Sequence, residues 1–238
     1  MGHEKKNMNK VRFILLLIFI CMIFSYSMIF GVFKSDIVVH ILRSLLRMLS
    51  GYVLALILGV FTAIILNLSK YLSYAFKPLI SFLISIPTIT WVPLLLIITG
   101  ISEKTIILTI FLGSYFAILY NTLEGFENID QNLLKAGKTV GYDNFELFIK
   151  VSLPASFNNI LVGMKLGIAY SWRALVGAEM LGATSCGLGY LIFASRKFYD
   201  MEKMLITLLI IGFLGYLFNI IIIKFIENNT IAKWGYRE

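Results

Sequence analysis

Residues 124 to 153 form a polar island between long apolar runs, and that contrast constrains the fold more than any other feature. The runs on either side approach the ~20 apolar residues that cross a hydrocarbon core ~30 Å thick. Of 238 residues, 59% are hydrophobic and 14% charged, with a mean hydropathy of +0.87. Soluble domains average about 45–50% apolar and about 25% charged residues. The chain reads as an all-α, polytopic membrane protein.

Six spans fit the runs, at about 11–33, 48–67, 76–100, 104–123, 155–182 and 204–226. With the N-terminus inside, twelve Lys and Arg fall on the inner side and seven on the outer, which favours cytoplasmic N- and C-termini. The net charge of +8 sits mostly beside apolar runs. It therefore reads as topology and headgroup contact, with no nucleic-acid partner. The first run follows Lys5, Lys6, Lys10 and Arg12 but exceeds a signal peptide's apolar core and lacks a cleavage site before Lys34, so it reads as a retained span. Cys21 and Cys186 give neither a disulfide framework nor a metal spacing. The chain thus divides into a tail and first span (1–35), a core (36–227) and a short tail (228–238).

Small residues mark packed faces in lipid, because they let helix backbones approach. Gly51, Ala55, Gly59 and Ala63 recur every fourth position in the second span, and Gly163, Gly167 and Ser171 repeat the device in the fifth. Pro87 and Pro93 predict a bend or break in the third span. Before the second span, Ile37, Ile41, Leu45 and Leu49 share one face, with His40, Arg43 and Arg47 elsewhere. That segment is either a surface amphipathic helix or a continuation of the span, and His40 reads as a surface histidine.

The island itself spells two short helices. Asp130 can cap a first helix over 131–140 with Leu133, Gly137 and Val140 on one side, and Gly141 sits where a left-handed residue would stop it. Asp143 and Glu146 form a capping box for a second helix carrying Phe145, Phe148 and Ile149. Pro154 is expected to end that helix near Ser152 and open the fifth span. A short exposed helix with an apolar side suits a groove on a soluble partner, or a lipid surface. Gly137-Lys138-Thr139 imitates the end of a phosphate loop, but Asn132 stands where the first glycine is required, and no buried strand precedes it. The chain is not expected to bind or hydrolyse ATP, and no enzyme motif appears. A self-sufficient carrier or channel is the competing class.

The island's spacing resembles the Glu-Ala-Ala-x-x-x-Gly-(nine residues)-Ile-x-Leu-Pro loop of type I ABC importer permeases. Ala136, Gly141, Leu153 and Pro154 match it. Lys135 stands where the family often has Glu, Gly137 stands at the second Ala, and Val151 replaces Ile. His40-x-x-x-Ser44-Leu45-x-Arg47, Ile86-Pro87 with Val92-Pro93-Leu94, Asn121-Thr122, Trp172 to Met180 and Gly187 to Ile192 extend the resemblance from about His40 to Trp234. They resemble the nitrate, sulfonate, taurine and bicarbonate permeases, a group that includes transporters of thiamine precursors. The resemblance implies a permease of a prokaryotic inner membrane, usually paired with a second copy. It implies a cytoplasmic ATPase holding ATP and Mg docked on the island, and an extracytoplasmic solute-binding protein. No cofactor or metal is expected in this chain.

Residues 155–182 would make roughly 42 Å of helix, more than a bilayer needs, so a stretch along the interface near Asn158 and Asn159 or a break near Ser171 is expected. Arg173 and Glu179 are ionisable at membrane depth and point to different sides of an ideal helix. Together with Trp172 they are candidates to border the translocation path or its outer gate, or to make structural contacts to neighbouring helices.

Overall fold

The computed structural model describes residues 36–226 apart from residue 184, and every described element is helical. The expected first span, the chain termini and Cys21 lie outside the described residues. α1 (Asp36–Asn67) is one unbroken helix, so the amphipathic stretch continues the second span. The predicted apolar face lies largely inward, with Ile37 buried and Ile41 and Leu45 packed on the core, while Leu49 is exposed. His40, Ser44 and Arg47 are buried while Leu42, Leu46 and Leu49 are exposed. The expectation of a surface histidine is overturned, because three polar side chains at i, i+4 and i+7 find partners inside.

The third span is two helices, α2 (Lys70–Ser85) and α3 (Trp91–Thr99), bent by 86° around a 3₁₀ turn at Thr88–Thr90. The break falls at Ile86-Pro87. Pro93 lies in the first turn of α3, where a missing N–H costs nothing, and so it breaks no helix. α4 (Glu103–Glu127) runs through the centre of the bundle, flanked by α1 and by α7 (Leu153–Gly182). Between them lie α5 (Gln131–Thr139) and α6 (Asn144–Leu147). α8 (Leu188–Lys197) and α9 (Met201–Ile226) complete the described chain. Four described helices are long and apolar enough to cross a membrane, or five if the bent pair counts as one span.

The helices close on glycines. A Cβ at Gly51 would stand 2.7 Å from Ile110 Cγ2, and one at Gly59 3.2 Å from Ile118 Cγ2, so α1 and α4 touch through backbone. Ala55 and Ala63 are fully buried on the same stripe. On the other side of α4, a Cβ at Gly163 would meet Asn121 Cβ at 3.0 Å, and one at Gly167 would meet Ile118 Cδ1 at 2.9 Å. No break occurs near Ser171, which is buried in an unbroken α7.

Candidate functional site

Two clusters at opposite ends of α4 carry the polar residues of interest. The first is the island. The Asp130 side chain accepts the Asn132 N–H at 2.8 Å and starts α5. At its other end, the Tyr142 N–H donates to Gly137 O at 3.2 Å and the Gly141 N–H to Lys138 O at 3.0 Å. This pair of bonds is the Schellman ending, and it requires the left-handed Gly141, whose φ is +93°. The predicted capping box is present. Asp143 accepts the Glu146 N–H at 2.7 Å, and Glu146 reaches back to the Asp143 N–H.

Beyond this the island departs from expectation. The second helix does not stop at Ser152. It passes through a π turn at Phe148–Ser152 directly into α7, with the Leu153 N–H donating to Phe148 O. Widening the turn by one residue absorbs the donor missing at Pro154, so proline does not force an end here. The three positions expected on one side of α5 are split. Leu133 and Val140 are exposed, and Gly137 is the buried position. A Cβ there would stand 2.6 Å from Leu147 Cδ1 and 3.2 Å from Val151 Cγ2, so Gly137 lets α5 press on the second helix.

Underneath, Leu134, Phe148 and Leu153 pack on Leu123, Phe126 and Ile129 at the end of α4. Beside this contact Glu127 accepts from both Ser73 and Lys77, tying α2 to the same end of α4. The outer surface is left with Lys135, Ala136 and Lys138 exposed, next to exposed Leu133, Val140, Phe145 and Ile149. Lys150 pairs with Glu146 at 2.6 Å and lies 4.6 Å from the Tyr142 ring. The island is thus a braced two-helix body with an apolar, cation-flanked outer face.

The second cluster lies at the other end of α4. Glu179 of α7 is fully buried. Its carboxylate accepts the Ser44 hydroxyl at 2.8 Å, Arg47 Nη1 at 2.8 Å and the Gly189 N–H at 2.9 Å. Arg47 also donates through Nε and Nη2 to both oxygens of Glu103, the former at 2.6 Å, and through Nη1 to Cys186 O. Ser44 Oγ accepts the Leu188 N–H at 2.9 Å, and His40 Nδ1 accepts the Gly187 N–H at 2.8 Å. The first turn of α8 therefore has its N–H groups satisfied by side chains of α1 and α7.

Glycines make this approach possible. A Cβ at Gly187, whose φ is +138°, would stand 2.5 Å from Glu179 Cδ, and one at Gly189 would stand 2.4 Å from Val176 O. Burying a charge is tolerable when it is paired and hydrogen-bonded, and Glu179 is both.

Trp172, Arg173 and Glu179 are not brought together. Trp172 is buried against Phe218 of α9, with ring centroids 5.3 Å apart. Arg173 is exposed over the Tyr170 ring at 6.0 Å, on another side of α7 from Glu179. Sequence reasoning missed Ser44 and Arg47 as partners of Glu179, and Glu103 as the second partner of Arg47. Only the i, i+4, i+7 spacing of His40, Ser44 and Arg47 hints at them. Among the described residues, no group of His, Cys, Asp and Glu could hold a metal ion.

A bundle of spanning-length apolar helices, with one braced polar body at the end of its central helix, defines a multi-pass helical membrane protein. A family model described as the binding-protein-dependent transport system inner membrane component matches residues 51–228, and the chain belongs to that family. It is 35% identical over 172 residues to a putative ABC transporter permease protein of Methanocaldococcus jannaschii. That match covers 72% of this chain and 64% of the relative, just under two thirds of its length. It is 30% identical to the nitrate import permease protein NrtB of Leptolyngbya laminosa, across 81% of this chain and 68% of the other. With the putative aliphatic sulfonates transport permease protein SsuC of Bacillus subtilis it shares 29% identity, over 85% of this chain and 72% of that one.

Proposed function

We propose that the chain is the membrane-spanning permease subunit of an ATP-binding-cassette importer. In this reading it has six spans, the first at 11–33, and both termini lie in the cytoplasm of a prokaryotic cell. A second copy completes the pore, and an extracytoplasmic binding protein delivers the solute. Hydrolysis belongs to a separate ATPase that holds ATP and Mg, while this chain holds no cofactor. The candidate solutes are nitrate, a sulfonate or taurine, bicarbonate, or a heterocycle of the thiamine-precursor kind.

The observation that carries the proposal is the construction of the island. An isolated amphipathic loop resting on lipid has no need of a capped, Schellman-terminated helix wedged by Gly137 onto a second helix that continues into a span. A body that must transmit force does. Pushed from its apolar outer face, it moves α7 through the π turn and α4 through the Leu134, Phe148 and Leu153 contacts. Coupling then requires only that the ATP-bound and ATP-free ATPase states prefer different arrangements of those helices. At the far end the Arg47, Glu179 and Glu103 cluster closes the outer gate.

The test is Gly141→Val. No atom lies within 4 Å of a Cβ at this position, so the substitution introduces no clash. Its cost is backbone strain at positive φ, of order 1–3 kcal/mol, placed on the joint between the two helices. ATP-driven uptake should be lost, whereas Gly141→Asn, which tolerates that conformation, should keep part of it. Unchanged uptake in Gly141→Val would count against the lever.

A further inference from the structure

The geometry points to a site for the phosphate of an anionic phospholipid, held by Lys135 and Lys138 of α5 and Lys77 of α2 in a cavity beside the island. Only the cytoplasmic side of that cavity is taken from the importer reading above. The cavity measures about 1010 Å³ and lies between α2, the end of α4 and α5. Sites for small molecules span roughly 300–1,000 Å³, so there is room for a headgroup with its glycerol.

The charge of the cavity is one-sided. Lys77, Lys135 and Lys138 line it against a single carboxylate, that of Glu127. Glu127 is already engaged by Ser73 and Lys77. Among the described residues neither Lys135 nor Lys138 is in an ion pair, and both are exposed. At ~100° per residue the two lie ~60° apart on α5, across the helix from Leu133 and Val140. The apolar side chains of α5 therefore serve the outer face, and the two cations serve the cavity.

Depth selects a lipid. Tyr71 and Tyr74 stand almost fully exposed at the start of α2, and Tyr74 lines the cavity. Tyrosine is enriched at the headgroup level of a membrane. Farther along α2, Leu79 and Phe82 are exposed, as suits contact with acyl chains. Phe126, Leu134 and Leu147 give the cavity an apolar wall. A basic pocket between spanning helices on the cytoplasmic side is the setting in which anionic headgroups bind. A soluble phosphate compound shares the charge chemistry but has no use for the apolar wall. The bound phosphate bridges α5 to α2 and adds to the tie made by Glu127.

The test puts a tryptophan at the edge of the cavity. Tyr74→Trp is made in the full chain, which is purified through a tag and reconstituted in phosphatidylcholine vesicles. Its fluorescence is taken as the difference from the unsubstituted chain. Quenching by phosphatidylglycerol brominated near the glycerol is compared with quenching by phosphatidylcholine brominated at the same place. Phe61→Trp, exposed near the inner end of α1, reports the ordinary surrounding lipid.

At Tyr74→Trp phosphatidylglycerol should be preferred roughly tenfold, the scale set by two cations at a membrane surface. At Phe61→Trp the two lipids should quench alike. Lys135→Gln with Lys138→Gln should erase the preference, whereas Lys135→Arg with Lys138→Arg should keep it. Should the double Gln chain fail to fold, each single Gln change should shrink the preference. Excess inorganic phosphate should leave it unchanged. Equal quenching by the two lipids, the same preference at both reporters, or a preference that survives neutralisation overturns the inference. So does displacement by inorganic phosphate, which assigns the cations to a soluble phosphate compound. Loss of the preference on adding the ATPase subunit overturns it too, by assigning the cations to that subunit. Whether an ATPase purifies with the tag from cells is scored separately and speaks to the importer reading alone.

Discussion

Glu179 and Arg47 show at the residue scale how this chain keeps charge inside a membrane bundle. Glu179 has no exposed surface, and each of its oxygens accepts more than one hydrogen bond. Removing one partner of such a pair strands the other, which typically costs 3–5 kcal/mol, about. Glu179→Ala and Arg47→Ala are therefore each expected to destabilise the bundle by roughly that amount, read as a lower unfolding midpoint in detergent. Replacing both with Met should cost much less than the sum of the two, because no buried charge is left stranded and Glu103, the other partner of Arg47, is exposed to solvent. Additive losses would show that the pair is not coupled. Arg173 is free of this constraint, and Arg173→Ala should fold normally while slowing import.

At the scale of elements, the pattern of what was legible follows the range of each signal. The Asp130 cap, the Asp143–Glu146 box, the stop at Gly141 and the break at Pro87 were all readable, because each is settled within about five residues of chain. The continuation through Pro154 was not. A π turn absorbs a missing donor, and nothing local distinguishes it from a helix end. The polar face of α1 was misjudged for a different reason. The partners of His40, Ser44 and Arg47 lie 56 to 147 residues away, and periodicity alone assigns apolar residues inward.

Packing between elements can be tested at Gly167, where an added Cβ meets Ile118 at 2.9 Å. Gly167→Ala should destabilise by about 1–3 kcal/mol through overpacking of α7 on α4. Adding Ile118→Ala in the same chain should cost less than the two changes summed, by thermal unfolding. A strictly additive pair would place the helices farther apart than described.

The whole molecule holds two polar clusters apart along α4. At one end the island presents exposed Leu133, Val140, Phe145 and Ile149, and at the other the Arg47 cluster ties α1, α4, α7 and α8 together. Family membership was legible because its motifs are local, whereas the joining of Arg47 to Glu103 and Glu179 needed the fold. If work enters at the island and opens the other end, ATPase contact must be confined to the island's face. The direct measurement is crosslinking from single cysteines in membranes of cells expressing the complete importer. Phe145→Cys, on the exposed island, is compared with Phe198→Cys, exposed just beyond α8. The account predicts an ATPase-containing product from position 145, lost in Gly141→Val, and none from position 198. A product from 198, or its absence at 145 in an actively importing membrane, would contradict it.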